Sequence, residues 1–307
     1  MRAVIDVGSN SVLLLIAEHE DGAWRTVFES SEVTGLGRGT KATGLLGEAG
    51  ISDTLAALQR AFDKARFLGC ESIIAAATMA ARIAQNQGEF LERATSQNTP
   101  VVILSGEQEA EYGFLAVAND PLFSSENRLS IIDPGGNSTE LMTARREPSG
   151  WVVEFKKSFP VGALGLRDGL EDMDALGPRE MLRFVTEIDD IVGLRYLPGQ
   201  SGRAVVLGAT GTNLVTIREK MTEWVPELVH GQVLDFEEVS KAVGWLCPMT
   251  DAERAAIVGI EKGRERTIHL GSLILERFLQ AIHVLDVTVS VRGWRHALLE
   301  KSVCQPT

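Results

Sequence analysis

The chain has 307 residues, enough for two domains of ordinary size, with 44% apolar residues and a formal net charge of −12. That charge argues against a general nucleic-acid binder, which would carry a basic face, and any polyanionic ligand would need locally gathered cations or a divalent metal. The longest uncharged apolar stretches, such as Ser11–Ala17, are too short to span a bilayer, and the N-terminal Met-Arg-Ala-Val-Ile-Asp reads directly as a strand, so a cytoplasmic protein without membrane association is expected.

In chain order, Ala3-Val4-Ile5 reads as a strand that ends in Asp6-Val7-Gly8-Ser9-Asn10-Ser11, and an apolar run follows from Val12 to Ala17. Ser52 is a candidate cap for a helix running to about Leu68, with Leu55, Leu58, Phe62 and Ala65 on one face. Ser72–Ala77 reads as a strand, Ala80–Gln85 as a helix, Val101–Leu104 as a strand and Glu107–Ala118 as a helix. Asn119-Asp120-Pro121 and Ser124-Ser125-Glu126-Asn127 are turn-rich and polar, which predicts a linker. Beyond it, Arg128–Asp133, Glu140–Thr143 and Trp151–Phe159 read as strands, as do Ala204–Leu207 and Val284–Val291. Helices are predicted at about Pro178–Val192, Phe236–Cys247 and Ser272–His283.

The organising feature is an internal repeat. Ser130-Ile131-Ile132 leads into Asp133-Pro134-Gly135-Gly136-Asn137-Ser138-Thr139 and then Glu140-Leu141-Met142, repeating the Asp-x-Gly-x-Asn-Ser pattern of the N-terminus. Either copy alone reads equally as a tight hairpin, but the matched pair points to duplicated lobes flanking a cleft. Glycine permits close backbone approach and positive φ, while Ser, Asn and Thr add hydrogen-bond donors, so such turns suit a phosphate. Cys70, Cys247 and Cys304 have no metal-ligand spacing and read as reduced thiols, and the five histidines show none either. Gly35-Leu36-Gly37-Arg38-Gly39-Thr40-Lys41 lacks the Walker spacing before its lysine.

Taken together, these motifs resemble the exopolyphosphatase and guanosine pentaphosphate phosphohydrolase (Ppx/GppA) family, in its short two-domain form. Asp6–Ser11 resembles that family's first phosphate loop, and Asp133–Leu141 its second, with Pro134 and Asn137 where the family usually has Ile and Gly. Thr78–Asn86, Leu104–Ala110, Gly162–Leu166 and Gly208–Leu214 are similar to further family segments in the same order. The resemblance implies an α/β fold of two related actin-like (ribonuclease H-like) lobes with a central active-site cleft. The division expected is an N-terminal lobe over 1–125 and a C-terminal lobe over 126–307, with the last helix packing back on the first lobe.

It also implies a hydrolase that releases terminal orthophosphate from inorganic polyphosphate, with Mg²⁺ held by Asp133 and Glu140 and assisted by Asp6. Glu109, immediately before Ala110, is then the catalytic base; Glu107, Glu109 and Glu111 also lie where a helix begins and its dipole favours negative charge. The phosphate-binding candidates are Gly8, Ser9, Asn10, Ser11, Arg82, Gly135, Gly136, Asn137, Ser138 and Thr139. Thr78, Gly208, Gly211 and Thr212 are candidates for further substrate or nucleotide contacts. Arg38, Lys41, Lys262, Arg264, Arg266, Arg292 and Arg295 are candidates for a basic track along a longer chain. The catalytic residues do not discriminate polyphosphate from guanosine penta- or tetraphosphate. An ATP-dependent small-molecule kinase and a catalytically weak polyphosphate or guanosine tetraphosphate sensor stay open. A homodimer, which would lengthen a substrate track, is compatible with the sequence.

Overall fold

The computed structural model describes residues 1–170, 174–193 and 202–300; Cys304 lies outside them. The chain builds two sheets. The first contains β1 (Arg2–Val7), β2 (Ser11–Glu20), β3 (Ala23–Val33), β4 (Ser72–Ala77) and β5 (Val102–Ile103). The second contains β6 (Arg128–Pro134), β7 (Thr139–Glu147), β8 (Gly150–Phe159), β9 (Arg203–Val206), β10 (Val233–Asp235) and β11 (Asp286–Val289).

Strand order is β3-β2-β1-β4-β5 in one sheet and β10-β11-β9-β6-β7-β8 in the other. Apart from β10, the second order repeats the first, with the same senses: an antiparallel three-strand meander, then a parallel neighbour. The repetition extends to fine detail. The register of β2 on β3 shifts between Ile16 and Ala17, and that of β7 on β8 shifts between Thr143 and Ala144, the corresponding positions of the repeat. A bulge carried at the same place in both copies is an inherited feature of a duplicated unit.

The core strands are apolar on both faces because helices cover the sheets. Glu48–Phe67 packs Leu55, Leu58, Phe62 and Ala65, the face read from the sequence, onto the first sheet, and Ile51 joins them. Its cap differs from expectation: Gly47 is the N-cap, and Ser52 sits inside the helix with its Oγ donating to Glu48 Oε1 at 2.9 Å. Serine one turn into a helix bonds a neighbouring side chain instead of free N–H groups.

Two helices cross between the halves. Gly106–Ala118 follows the last strand of the first sheet, yet Ala110, Phe114 and Val117 pack with Leu129, Ile131, Met142 and Val205 of the second. In return, Trp294, Leu298 and Leu299 of the Trp294–Glu300 helix pack with Val4, Leu15 and Ala76 of the first. Arg2 Nη1 donates to Leu299 O at 2.8 Å and fastens that exchange. Glu109 and Trp294 ride on these two crossing helices. Among the described residues, no helix is long and apolar enough to cross a membrane.

Candidate active site

Both loops fold alike. Gly8 N–H donates to Ser11 O at 2.9 Å, and Gly135 N–H donates to Ser138 O at 2.8 Å. A Cβ would stand 3.1 Å from Ser11 O at Gly8 and 2.9 Å from Ser138 O at Gly135, so both turns need glycine for space. The expected positive φ is not found: Gly8, Gly135, Gly136 and Asn137 all avoid the left-handed region. Pro134 remains a strand residue opposite Thr139 and leaves the turn after it unchanged.

The loop tips meet. A Cβ on Gly136 would lie 2.9 Å from Ser9 Cβ. A Cβ on Gly162 would overlap the Gly136 carbonyl, and just beyond it the helix Ala163–Asp168 caps the second loop. Leu164 N–H donates to Gly136 O at 2.7 Å and Ala163 N–H to Gly135 O at 3.0 Å, so these carbonyls are turned away from any anion. The Gly35–Lys41 segment straps the first loop: Gly37 N–H donates to Ser9 O at 2.8 Å, and Asn137 Nδ2 reaches Gly37 O at 3.3 Å from the opposite lobe.

Between the loops lies a cavity of about 130 Å³, lined among others by Asp6, Glu109, Asp133 and Glu140. Asp6 and Asp133 end equivalent strands, but their cross-strand partners differ. Asp133 faces Glu140, whereas Asp6 faces Leu13. The second loop therefore carries two carboxylates and the first only one. Burial pushes Asp6 up to about 7 and Asp133 to about 6, opposed in both by Arg295. Glu140 is raised well above the usual range by burial and by Glu109 and Asp133, although Ser158 Oγ donates to its Oε1 at 2.6 Å.

Glu109 lies in the first turn of Gly106–Ala118, where Ser105 and Gln108 form a reciprocal capping box. It is only 8% exposed. Arg82 Nη1 donates to Glu109 Oε2 at 2.6 Å and to Leu104 O at 2.6 Å. Burial still raises Glu109 to about 7; Arg82 opposes the shift, and Asp6 and Asp133 reinforce it. A carboxyl titrating there is placed to take or give a proton near neutrality.

The cleft gathers most of the residues expected from the sequence: Gly8, Ser9, Asn10, Ser11, Thr78, Gly135, Gly136, Ser138 and Gly208 line it with the four carboxylates. Gly208 starts the helix Gly208–Arg218 at φ +75°, and a Cβ there would stand 3.0 Å from Asp133 Oδ1. Others serve differently. Arg82, expected on phosphate, holds Glu109. Asn137 links the lobes, Thr139 Oγ1 donates to Val161 O at 2.7 Å, and Gly211 packs against Val206. Thr212 lies within the helix, its Oγ1 bonded to the backbone one turn earlier, and is not among the cleft-lining residues.

Thr210, Thr267, Ile268 and Trp294 also line the cleft, and Ser158 holds Glu140; the sequence reading assigned none of these. Thr210 falls inside the Gly208–Leu214 segment already marked by the sequence; the others reach the site only through tertiary folding, and no local pattern marks them. Of the basic-track candidates, Arg264 alone lines the cavity among the described residues. Arg295 lies near Glu29 at 3.9 Å, Arg292 near Asp120 at 3.7 Å, Arg266 near Asp251 at 4.0 Å and Lys41 beside Glu187 at 3.3 Å.

Among the described residues, no three His, Cys, Asp or Glu side chains converge as a metal cage. The donor set nonetheless suits Mg²⁺, which needs one or two carboxylates and takes its other oxygens from phosphate and water. Asp6 Oδ1 is buried without a hydrogen-bond partner, as an oxygen awaiting a cation would be.

The profile of the Ppx/GppA phosphatase family matches residues 15–305. The chain belongs to this family. It is 27% identical over 294 residues to exopolyphosphatase 2 of Mycobacterium tuberculosis, covering 91% of this chain and 90% of that protein. Exopolyphosphatase 1 of Mycobacterium bovis is 26% identical over 303 residues, covering 96% and 86%. The crystal structure of the Aquifex aeolicus Ppx/GppA family member superposes with a TM-score of 0.78 at 30% identity, covering 97% of this chain and 95% of that one. An exopolyphosphatase structure from Cytophaga hutchinsonii, 20% identical, shares the fold with a TM-score of 0.86 over 97% of this chain and 96% of that one. As a Ppx/GppA phosphatase, the protein is a hydrolase, and its two-sheet α/β fold is the one this family shares with actin-like proteins.

Proposed function

We propose that this Ppx/GppA phosphatase is a cytoplasmic exopolyphosphatase that releases terminal orthophosphate from inorganic polyphosphate with Mg²⁺. The observation that carries the reading is the placement of Glu109 in the same cavity as both Asp-x-Gly loops. Backbone N–H groups and the Ser9, Asn10, Ser11 and Ser138 side chains supply donors for phosphoryl oxygens. Glu109 accepts a proton from water as its oxygen attacks the terminal phosphorus. The bridging P–O bond breaks, and the shortened chain leaves with the bond's electron pair. Mg²⁺, when bound by Asp133 and Glu140 with help from Asp6, would neutralise charge on the phosphoryl oxygens.

A second reading, hydrolysis of the 5′-terminal phosphate of guanosine pentaphosphate, is favoured by Trp294, an aromatic side chain in the cleft wall. The two are separated by measuring phosphate release from long-chain polyphosphate and guanosine pentaphosphate in parallel, with Mg²⁺. A higher kcat/KM on polyphosphate is expected. Preference for the nucleotide would keep the mechanism and replace the substrate, and release from neither would overturn the hydrolase chemistry proposed for this cleft.

A further inference from the structure

One short helix touches the supports of both phosphate loops. Ala163–Asp168 begins with its first N–H groups on the Gly135 and Gly136 carbonyls of the second loop. It ends with Asp168 Oδ2 accepting from Gly39 N–H at 2.6 Å, and Gly39 belongs to the strap of the first loop. Between these ends Gly165 leaves room for both neighbours: a Cβ there would stand 3.3 Å from Asn137 Oδ1 and 3.4 Å from Lys41 Cδ. At a helical rise of about 1.5 Å per residue the segment spans about 8 Å, and that length fixes how far the strap stands from the second loop.

Both ends of this link are anchored. Gly37 N–H donates to Ser9 O at 2.8 Å, and the Thr34 and Gly35 N–H groups to Asn10 O at 3.0 and 2.9 Å, so a displaced strap takes the first loop with it. Gly39 has φ +73° and open space where a Cβ would be, so it is glycine for conformation. As the N-cap of Thr40–Thr43 it has no side chain to offer that helix, and Asp168 brings a carboxylate there from the other half of the chain. The residues beside Asp168 are held in turn: Arg167 Nη2 donates to Asp251 Oδ2 at 2.8 Å, and Arg183 Nη2 to Gly169 O at 2.8 Å. Two other links from the strap are weaker. Lys41 and Glu187 form an exposed ion pair, and Asn137 Nδ2 reaches Gly37 O only at 3.3 Å. The Asp168 contact is short, part-buried and charge-assisted.

We propose that Asp168 is a positioning residue for phosphate release: by holding Gly39 N–H it fixes the first phosphate loop in register with the second. This rests on the phosphoanhydride reading above, in which both loops hold the substrate. Without the carboxylate each loop keeps its own donors, so a phosphate chain still binds. The terminal phosphate then loses its alignment with Glu109 and the attacking water, and a misplacement of about 1 Å is enough to cost about 100-fold in rate.

The test combines steady-state kinetics on long-chain polyphosphate, with Mg²⁺, and amide hydrogen exchange of the full chain in Asp168→Ala, Asp168→Asn and Glu187→Gln. Asp168→Ala is expected to lower kcat about 10–100-fold while KM stays within about threefold. It is also expected to speed exchange of the Gly37 and Gly39 amides about tenfold or more. Asp168→Asn keeps a neutral acceptor of the same shape and is expected to recover part of both losses. Glu187→Gln removes only the exposed ion pair and is expected to stay within about twofold of wild type in both. A purely structural Asp168 would lower Tm and leave kcat of the folded variant unchanged, and that result overturns the proposal. Unaltered exchange at Gly37 and Gly39 in Asp168→Ala, or a loss carried by KM alone, also overturns it and leaves the hydrolase reading standing. Should Asp168→Ala fail to fold, Asp168→Asn decides, and wild-type kcat with wild-type exchange in that variant overturns the proposal. A wild-type protein that releases no phosphate overturns the hydrolase reading and this role within it together.

Discussion

Arg82 Nη1 donates to Glu109 Oε2 at 2.6 Å, so the carboxyl assigned as base is held by a guanidinium that itself touches the Leu104 backbone. The pair sets both the direction and the acidity of Glu109. Burial raises its pKa to about 7, and Arg82 keeps it from rising further. The activity should therefore show an acidic limb near pH 7, since a base works only when ionised. Replacing Arg82 by Gln removes both influences that lower the value, and the limb should move to higher pH. A pH–rate profile of Arg82→Gln with an unmoved limb would show that Glu109 does not control it.

The same burial reverses the usual dependence of stability on pH. Asp6 is raised from 3.8 to about 7, Asp133 to about 6 and Glu109 from 4.5 to about 7. Between the ordinary and the raised value each group holds more protons folded than unfolded, so stability is lost as pH rises. His269 and His296, pushed down from 6.5 to about 2 and 3 by burial, act in the opposite sense only below about 6.5. Metal-free protein should thus lose thermal stability between pH 6.5 and 7.5, and Mg²⁺ should restore more of it at pH 7.5 than at pH 5. Melting curves at the three pH values, with and without Mg²⁺, check this; a rise in Tm across 6.5–7.5 without metal would contradict it.

Contact between the loops gives a steric prediction. Gly136→Ala would place a Cβ 2.9 Å from Ser9 Cβ and 3.4 Å from Asn10 N, which must push the two loops apart. Overpacking of this kind costs about 1–3 kcal/mol. Turnover should fall by well over tenfold, because positioning supplies most of the catalysis expected here. Denaturant unfolding alongside kinetics tests it, and a variant with wild-type turnover would show that the loops need not touch.

What was legible in the sequence was what repeats locally. The two Asp-x-Gly loops, the helix bearing Glu109 and most buried strands announced themselves through glycine, an acidic first turn and continuous apolar runs. β3 did not, because it is an edge strand with mostly exposed polar residues and no clean alternation. Arg82 carried a signal of charge without direction, and only the fold shows that it meets Glu109 instead of standing free for phosphate. Arg264 was one of seven basic-track candidates, and nothing local singled it out as the one that lines the cavity. Trp294 and Ser158 were illegible as site residues because they converge from separate elements, Trp294 by way of the helix exchange.

The most direct test of the central claim is phosphate release from long-chain polyphosphate, with Mg²⁺, by folded Glu109→Gln beside the wild type. The substitution keeps the shape of the side chain and removes the proton acceptor. Turnover is expected to fall about 10²–10⁴-fold, with substrate binding largely retained. Near-normal turnover in the folded variant would contradict the assignment of Glu109 and with it the mechanism built on this cleft.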